Sequence, residues 1–172
     1  MNITIIGAGS WGCALANIVC ENKHNVTLYD NNKETVEQIN NEHRNEKVPG
    51  GILDEKIKAT LNLKDAIDFA EIIVISVPTK VLRIVLNNIK DVLSSPKIFV
   101  NASKGLEPDT FMRVSEIIKQ VIPANYIKEI VALTGPSHAE EVIIKLPTTI
   151  CSVSEDKTMA KLIQDVFSNH TN

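Results

Sequence analysis

A short apolar run at the start of the chain, Asn2-Ile3-Thr4-Ile5-Ile6, passes directly into Gly7-Ala8-Gly9-Ser10-Trp11-Gly12 and then into Cys13-Ala14-Leu15-Ala16. Glycines at this G-x-G-x-x-G spacing, set between a strand and a helix, leave few folds open. Gly7 permits a tight turn, Gly9 lets a ligand approach the backbone, and Gly12 lets the helix pack close against the strand. The unpaired N–H groups of the helix's first turn, helped by its dipole, make such a turn a seat for an anion, above all a pyrophosphate.

The rest of the chain keeps the same cadence. Candidate strands at Asn2–Ile6, Val26–Asp30, Lys56–Thr60, Ile72–Ser76, Lys97–Asn101, Ile130–Thr134 and Thr148–Val153 alternate with helix-period segments. The latter are Cys13–Glu21, Lys33–Glu42, Leu63–Phe69, Lys80–Lys90, Thr110–Ile122, Ser137–Ile143 and Glu155–Phe167. In Lys80–Lys90 the apolar residues Val81, Leu82, Val85, Leu86 and Ile89 form one stripe of a helix. Strand alternating with helix implies βαβ units and right-handed crossovers. The 23 Ile and 16 Val against 12 Leu suit strands buried on both faces. The expected fold is therefore α/β of the doubly wound Rossmann type, a mainly parallel sheet with helices on both faces, in one domain over residues 1–172. The longest irregular stretch, Arg44–Glu55, reads as a loop on the ligand side or a cover over the sheet.

Charge and composition exclude several classes. With 18 Lys+Arg against 21 Asp+Glu the chain is mildly acidic, which argues against a nucleic-acid partner. No apolar run reaches the ~20 residues of a membrane span, and no secretory leader is apparent. Cys13, Cys20 and Cys151 form no CxxC pair and read as buried thiols in a reducing cytoplasm. The four histidines are scattered, so no metal site is expected.

In a sheet of this kind ligands bind beyond the carboxyl ends of the strands. Asp30 ends the second candidate strand, 18 residues after Gly12. A carboxylate there would accept hydrogen bonds from an adenosine ribose and repel a 2′-phosphate. Asn31 and Asn32 follow in place of an arginine, so NAD is favoured, with NADP as the alternative. Asp30 could instead simply open an Asx-turn. Beyond a later strand, Lys104 beside Gly105 can meet a phosphate as a point charge. Ser137 and Glu140, in Gly135-Pro136-Ser137-His138-Ala139-Glu140-Glu141, have the spacing of a capping box. Ser137 and neighbouring N–H groups could equally hold a substrate phosphate or hydroxyl.

Taken together, Gly7–Ala16, Val48-Pro49-Gly50, Ser76-Val77-Pro78, Ala102–Glu107 (ASKGLE), Leu133–Val142 (LTGPSHAEEV) and Leu146-Pro147-Thr148 resemble the bacterial type of NAD(P)-dependent glycerol-3-phosphate dehydrogenase. ASKGLE combined with GPSHAEE is far more specific than the glycine turn. The resemblance implies a Rossmann domain for the nicotinamide cofactor and a helical domain that completes the substrate site. It further implies hydride transfer between dihydroxyacetone phosphate and sn-glycerol 3-phosphate, serving phospholipid synthesis in the cytoplasm.

By matching position, Ser10, Trp11 and Ala139 would contact the cofactor; Asp30 and Asn31, placed beside the adenosine by their position at the strand end, depart from the Arg or His that many members carry there, which counts against NADP. Lys104 would lie where cofactor and substrate meet, and Gly135 and Ser137 would contact the glycerol phosphate. The family's proton-transferring lysine lies in a Gly-rich segment that opens the helical domain, and no residue here fits that role by motif; Lys161 sits in an ordinary amphipathic helix. The chain is thus expected to be the cofactor-binding half, without the helical substrate domain, and to bind NADH without turning over substrate alone. Two alternatives stand beside this reading. One is another Rossmann dehydrogenase of the 6-phosphogluconate or ketopantoate reductase type; the other is a non-catalytic nucleotide-binding module. Homo-oligomerisation is left open.

Overall fold

A computed structural model describes residues 1–48 and 50–169; Pro49 of the Val48-Pro49-Gly50 motif and residues 170–172 lie outside the described residues. The strands are β1 (Asn2–Ile6), β2 (Asn25–Tyr29), β3 (Lys58–Thr60), β4 (Ile72–Ile75), β5 (Lys97–Asn101), β6 (Ile127–Thr134) and β7 (Cys151–Val153). The helices are α1 (Ser10–Glu21), α2 (Lys33–Glu42), α3 (Leu63–Phe69), α4 (Leu82–Val92), α5 (Val114–Val121), α6 (Ala139–Ile143) and α7 (Lys157–Phe167).

The strands form one sheet in the order β3-β2-β1-β4-β5-β6-β7. All neighbours pair in parallel except β6 and β7, which run antiparallel. Strand order reverses between β1 and β4, so the crevice for a ligand opens at the carboxyl end of β1, where the glycine-rich turn begins.

Each face of the sheet is covered by its own apolar layer. Ile3 and Ile5 of β1 pack with Leu15, Ile18 and Val19 of α1, Val36 and Ile39 of α2, Val142 of α6 and Ile163 and Phe167 of α7. Ile6, Ile73, Ile75 and Phe99 face the other way, against Ile67 of α3, Leu82, Leu86 and Ile89 of α4, and Ile117 and Ile118 of α5. The period-two alternation of β1 assigns its side chains to these two layers. Thr4, fully buried within β1, is satisfied by donating to the Ala66 carbonyl at 2.6 Å.

Local chemistry explains the starts of several helices. Asn32, Asn62 and Asp156 cap α2, α3 and α7 by accepting N–H groups of their first turns. Helix α5 begins at Val114, later than the periodicity over Thr110–Ile122 suggests. Asp109 and Phe111 adopt positive φ of 68° and 55°, which no helix continues. Glu116 then reaches back to accept the Arg113 N–H at 2.9 Å and starts the helix. Strand β7 is shorter than the expected Thr148–Val153.

Of the three cysteines, Cys13 and Cys20 are buried, whereas Cys151 is exposed on the short edge strand β7, contrary to the expectation that all three are buried. Burial pushes the Cys13 thiol up to about 11 from 9.0. Since the folded value lies above the unfolded one, the buried thiol favours folding below pH 9, and that contribution is lost between pH 9 and about 11. Over that window wild-type protein is expected to lose on the order of 2 kcal/mol more stability than Cys13→Ala. Urea unfolding at pH 8 and pH 10.5 measures the difference; parallel losses in both proteins would remove Cys13 from the account.

Candidate functional site

The glycine-rich turn is built between β1 and α1. The Gly7 N–H donates to the Tyr29 carbonyl at 2.9 Å, holding the turn against the end of β2. Gly7 has φ +103°, and a Cβ there would meet the Ser76 carbonyl oxygen at 2.7 Å, so only glycine fits between β1 and β4. Gly9 is the N-cap residue that precedes α1, and a Cβ there would meet nothing within 4 Å. Among the described residues no side chain caps α1, and no acidic residue occupies its first turn. The first N–H donors of this twelve-residue helix therefore meet neither a capping side chain nor an acidic residue of their own turn, an arrangement suited to an anion.

Asp30 follows β2 at the rim of this turn. Its Oδ2 accepts the Ala8 N–H at 2.9 Å and its Oδ1 accepts the Asn32 N–H at 2.9 Å. The second bond is the Asx-turn that the sequence permits; the first ties the carboxylate to the glycine-rich turn. Each oxygen retains a lone pair for further donors. Asn31, beside it, is exposed.

Across the crevice, Trp11 and Lys104 meet at the carboxyl end of β5. The Trp11 Nε1–H donates to the Ala102 carbonyl at 3.1 Å. The Lys104 ammonium lies 5.5 Å from the Trp11 ring centroid and donates to the Ser137 carbonyl at 2.7 Å. One ammonium thus bridges α1, the β5 loop and the loop preceding α6. It has further donors for an anionic ligand. A cleft of about 720 Å³ opens here, lined by Trp11, Ala102, Lys104, Gly135 and Ser137 among others.

Ser137 does not form the capping box with Glu140. His138 is the residue preceding α6, no side chain among the described residues caps that helix, and Ser137 is only 4% exposed, with its hydroxyl turned back to the Gly135 carbonyl at 3.5 Å. The box fails because the chain enters α6 one residue later than the spacing assumes. Gly135 has φ +150°, and a Cβ there would meet the Thr149 carbonyl oxygen at 2.4 Å, which keeps this loop tight under the strand that follows. Ala139 is buried at the start of α6. Lys161 is exposed on α7 and paired with Asp165, away from these groups.

Two supports went unnoticed in the sequence. Arg83 of α4 makes a bidentate pair with Glu107, Nε to Oε1 at 2.5 Å and Nη2 to Oε2 at 2.9 Å, and also donates to Gln120. The Arg83 guanidinium, with the Thr110 hydroxyl, holds the Glu107 carboxyl below the usual carboxylate range. This pins the loop that carries Lys104. The second support is Asn45, buried beneath the glycine-rich turn. The contacts that give them this role do not signal themselves locally, since Arg83 and Glu107 lie 24 residues apart and Asn45 and Ala8 lie 37 apart.

Residues 2–160 match the family described as NAD-dependent glycerol-3-phosphate dehydrogenase N-terminus. The chain is 44% identical over 168 residues to the NAD(P)+ glycerol-3-phosphate dehydrogenase of Staphylococcus haemolyticus, covering 97% of this chain and 51% of that protein. To the corresponding protein of Listeria monocytogenes it is 45% identical over 169 residues, covering 98% and 50%. A crystal structure of glycerol-3-phosphate dehydrogenase from Coxiella burnetii superposes with a TM-score of 0.89 at 25% identity, covering 98% of this chain and 51% of that one. The chain thus spans about half the length of the curated relatives it matches.

Proposed function

Because the chain belongs to the NAD-dependent glycerol-3-phosphate dehydrogenase family, through that family's N-terminal NAD-binding domain, we propose that the protein it represents interconverts dihydroxyacetone phosphate and sn-glycerol 3-phosphate. In this reading residues 1–172 form the cofactor-binding unit of a cytoplasmic enzyme serving glycerophospholipid synthesis. The observation that carries it is the uncapped N-terminus of α1 at the reversal of strand order, with the Lys104 ammonium beside it over Trp11.

The nicotinamide cofactor supplies the hydride chemistry when bound; the chain's residues bind and orient. Gly7, Gly9 and Gly12 shape the turn, and the N–H groups around Ser10 and Trp11 receive the pyrophosphate. Asp30 and Asn31 would stand beside the adenosine ribose, and Ala139, buried at the start of α6, would meet the cofactor there. Lys104, anchored on the Ser137 carbonyl, holds positive charge where a phosphorylated substrate meets the cofactor, with Gly135 and Ser137 forming the floor. The fit is chemical: small residues where a Cβ would obstruct, donors where negative charge arrives, and a cation for the phosphate.

The Asp30 carboxylate disfavours a 2′-phosphate, so NADH is expected to bind at least about tenfold more tightly than NADPH. Quenching of Trp11, the only tryptophan, during titration with each nucleotide measures this. Tighter NADPH binding would overturn the role given to Asp30, and binding of neither would overturn the cofactor reading itself.

A further inference from the structure

The segment between α2 and β3 is fastened to the glycine-rich turn by a side chain that the functional reading leaves unused. Asn45 is only 2% exposed. Its Nδ2 donates to the Ala8 carbonyl at 2.6 Å and lies 3.3 Å from the Cys13 Sγ. Its Oδ1 accepts the Lys47 N–H at 3.0 Å, and its own carbonyl accepts the Val48 N–H at 2.9 Å. This pattern leaves one orientation for the amide, with nitrogen toward Ala8 and oxygen toward Lys47.

Ala8 is therefore gripped from two sides. Its N–H is held by Asp30 at the end of β2, and its carbonyl by Asn45. The first bond fixes the Gly7–Ala8 peptide plane and the second fixes the Ala8–Gly9 plane. The second plane is the one with freedom to turn, because Gly9 has no Cβ and nothing near where one would be. In a trans peptide the carbonyl and the following N–H point in opposite directions. Turning this peptide over would bring the Ala8 oxygen round toward the open side of the turn, replacing a donor with a partial negative charge.

We propose that Asn45 is a positioning residue for cofactor binding: it holds the Ala8 carbonyl inward and so keeps the pyrophosphate seat lined by N–H groups alone. The proposal rests on the reading of Gly7–Gly12 as that seat. It adds that the loop around Asn45, beyond covering the sheet, sets the polarity of the turn from beneath. Cys13 is a lesser partner of both groups, since its thiol accepts weakly from the amide and donates weakly to the Ala8 carbonyl at 3.8 Å.

The test uses the whole 172-residue chain with Asn45→Ala and Asn45→Ser, neither of which can span to the Ala8 carbonyl as the amide does. Ile118→Val, in the apolar layer on the opposite face of the sheet, serves as a variant that lowers stability without touching the turn. The expected result is a tenfold or greater loss of affinity for NADH, and an equal loss for ADP-ribose, in both Asn45 variants. Ile118→Val keeps wild-type affinity for both ligands. In the ligand-free protein, the Gly9 amide signal of a 15N-labelled sample shifts or broadens in the Asn45 variants and stays unchanged in Ile118→Val. If the alanine variant fails to fold, the serine variant carries the same readings. Wild-type affinity in a folded Asn45 variant overturns the proposal, as does an unperturbed Gly9 amide. Should the wild type bind neither nucleotide, the cofactor reading falls, while the Gly9 amide still decides whether Asn45 governs the peptide.

Discussion

Gly12→Ala is expected to cost more than about 4 kcal/mol of stability, a large share of the 5–15 kcal/mol typical of a domain. A Cβ at Gly12 would stand 2.0 Å from the Gly7 carbonyl oxygen, 3.2 Å from its carbon and 3.4 Å from the Ile5 Cγ2. The first two are backbone atoms and cannot swing aside. Gly7 cannot retreat either, since it already lies against the Ser76 carbonyl at the end of β4 with a positive φ. Relief requires α1 to lift from β1, which would open the layer around Leu15, Ile18 and Val19. Alanine's helix propensity returns only about 1 kcal/mol, far less than that loss. Chemical denaturation of the variant measures the result; a midpoint within experimental error of wild type would mean that α1 and β1 are not packed as described.

How much of this architecture was legible in the sequence depended on whether the cause was local. The bounds of β1, α2, α3 and β5 agree with the expected segments, because an apolar run or a capping asparagine decides each. The start of α5 was not legible. Thr110–Ile122 has helical periodicity, but Phe111 takes a positive φ, and Glu107, pinned by Arg83, accepts the Thr110 hydroxyl at 2.5 Å. That ion pair joins α4 to the β5 loop, a contact no window around residue 110 contains. Ser137 shows the converse error: the local S-x-x-E pattern is present, yet the tertiary bond from Lys104 draws the Ser137 carbonyl under the cleft and the helix begins beyond it. Asp30 combines both kinds of cause, since its Asx-turn is written in Asp-Asn-Asn, while its grip on Ala8 appears only once β1 and β2 are paired.

Gly9→Ala should behave in the opposite way to Gly12→Ala, although the two glycines lie three residues apart on one turn. Gly9 has φ −76°, a value open to any residue, and a Cβ there meets no atom within 4 Å. Folding therefore has nothing to lose, and the thermal midpoint is expected to stay within a few degrees of wild type. The same open space is the approach of a pyrophosphate to the first N–H groups of α1. A methyl group placed there holds the phosphates away from those donors, lengthening charge-assisted hydrogen bonds that weaken steeply with distance and misalignment. Loss of about two such bonds, each worth roughly 1.5 kcal/mol, corresponds to an NADH affinity lower by about 100-fold. Calorimetric titration of NADH into wild type and Gly9→Ala, alongside thermal melts of both, separates the two roles. Wild-type affinity in the variant would place the pyrophosphate elsewhere than over Gly9, whereas a large drop in the melting midpoint would show that the turn is closed over this residue rather than open. Normal folding with binding lost is the signature of a glycine kept for its ligand, just as Gly12 is kept for its strand.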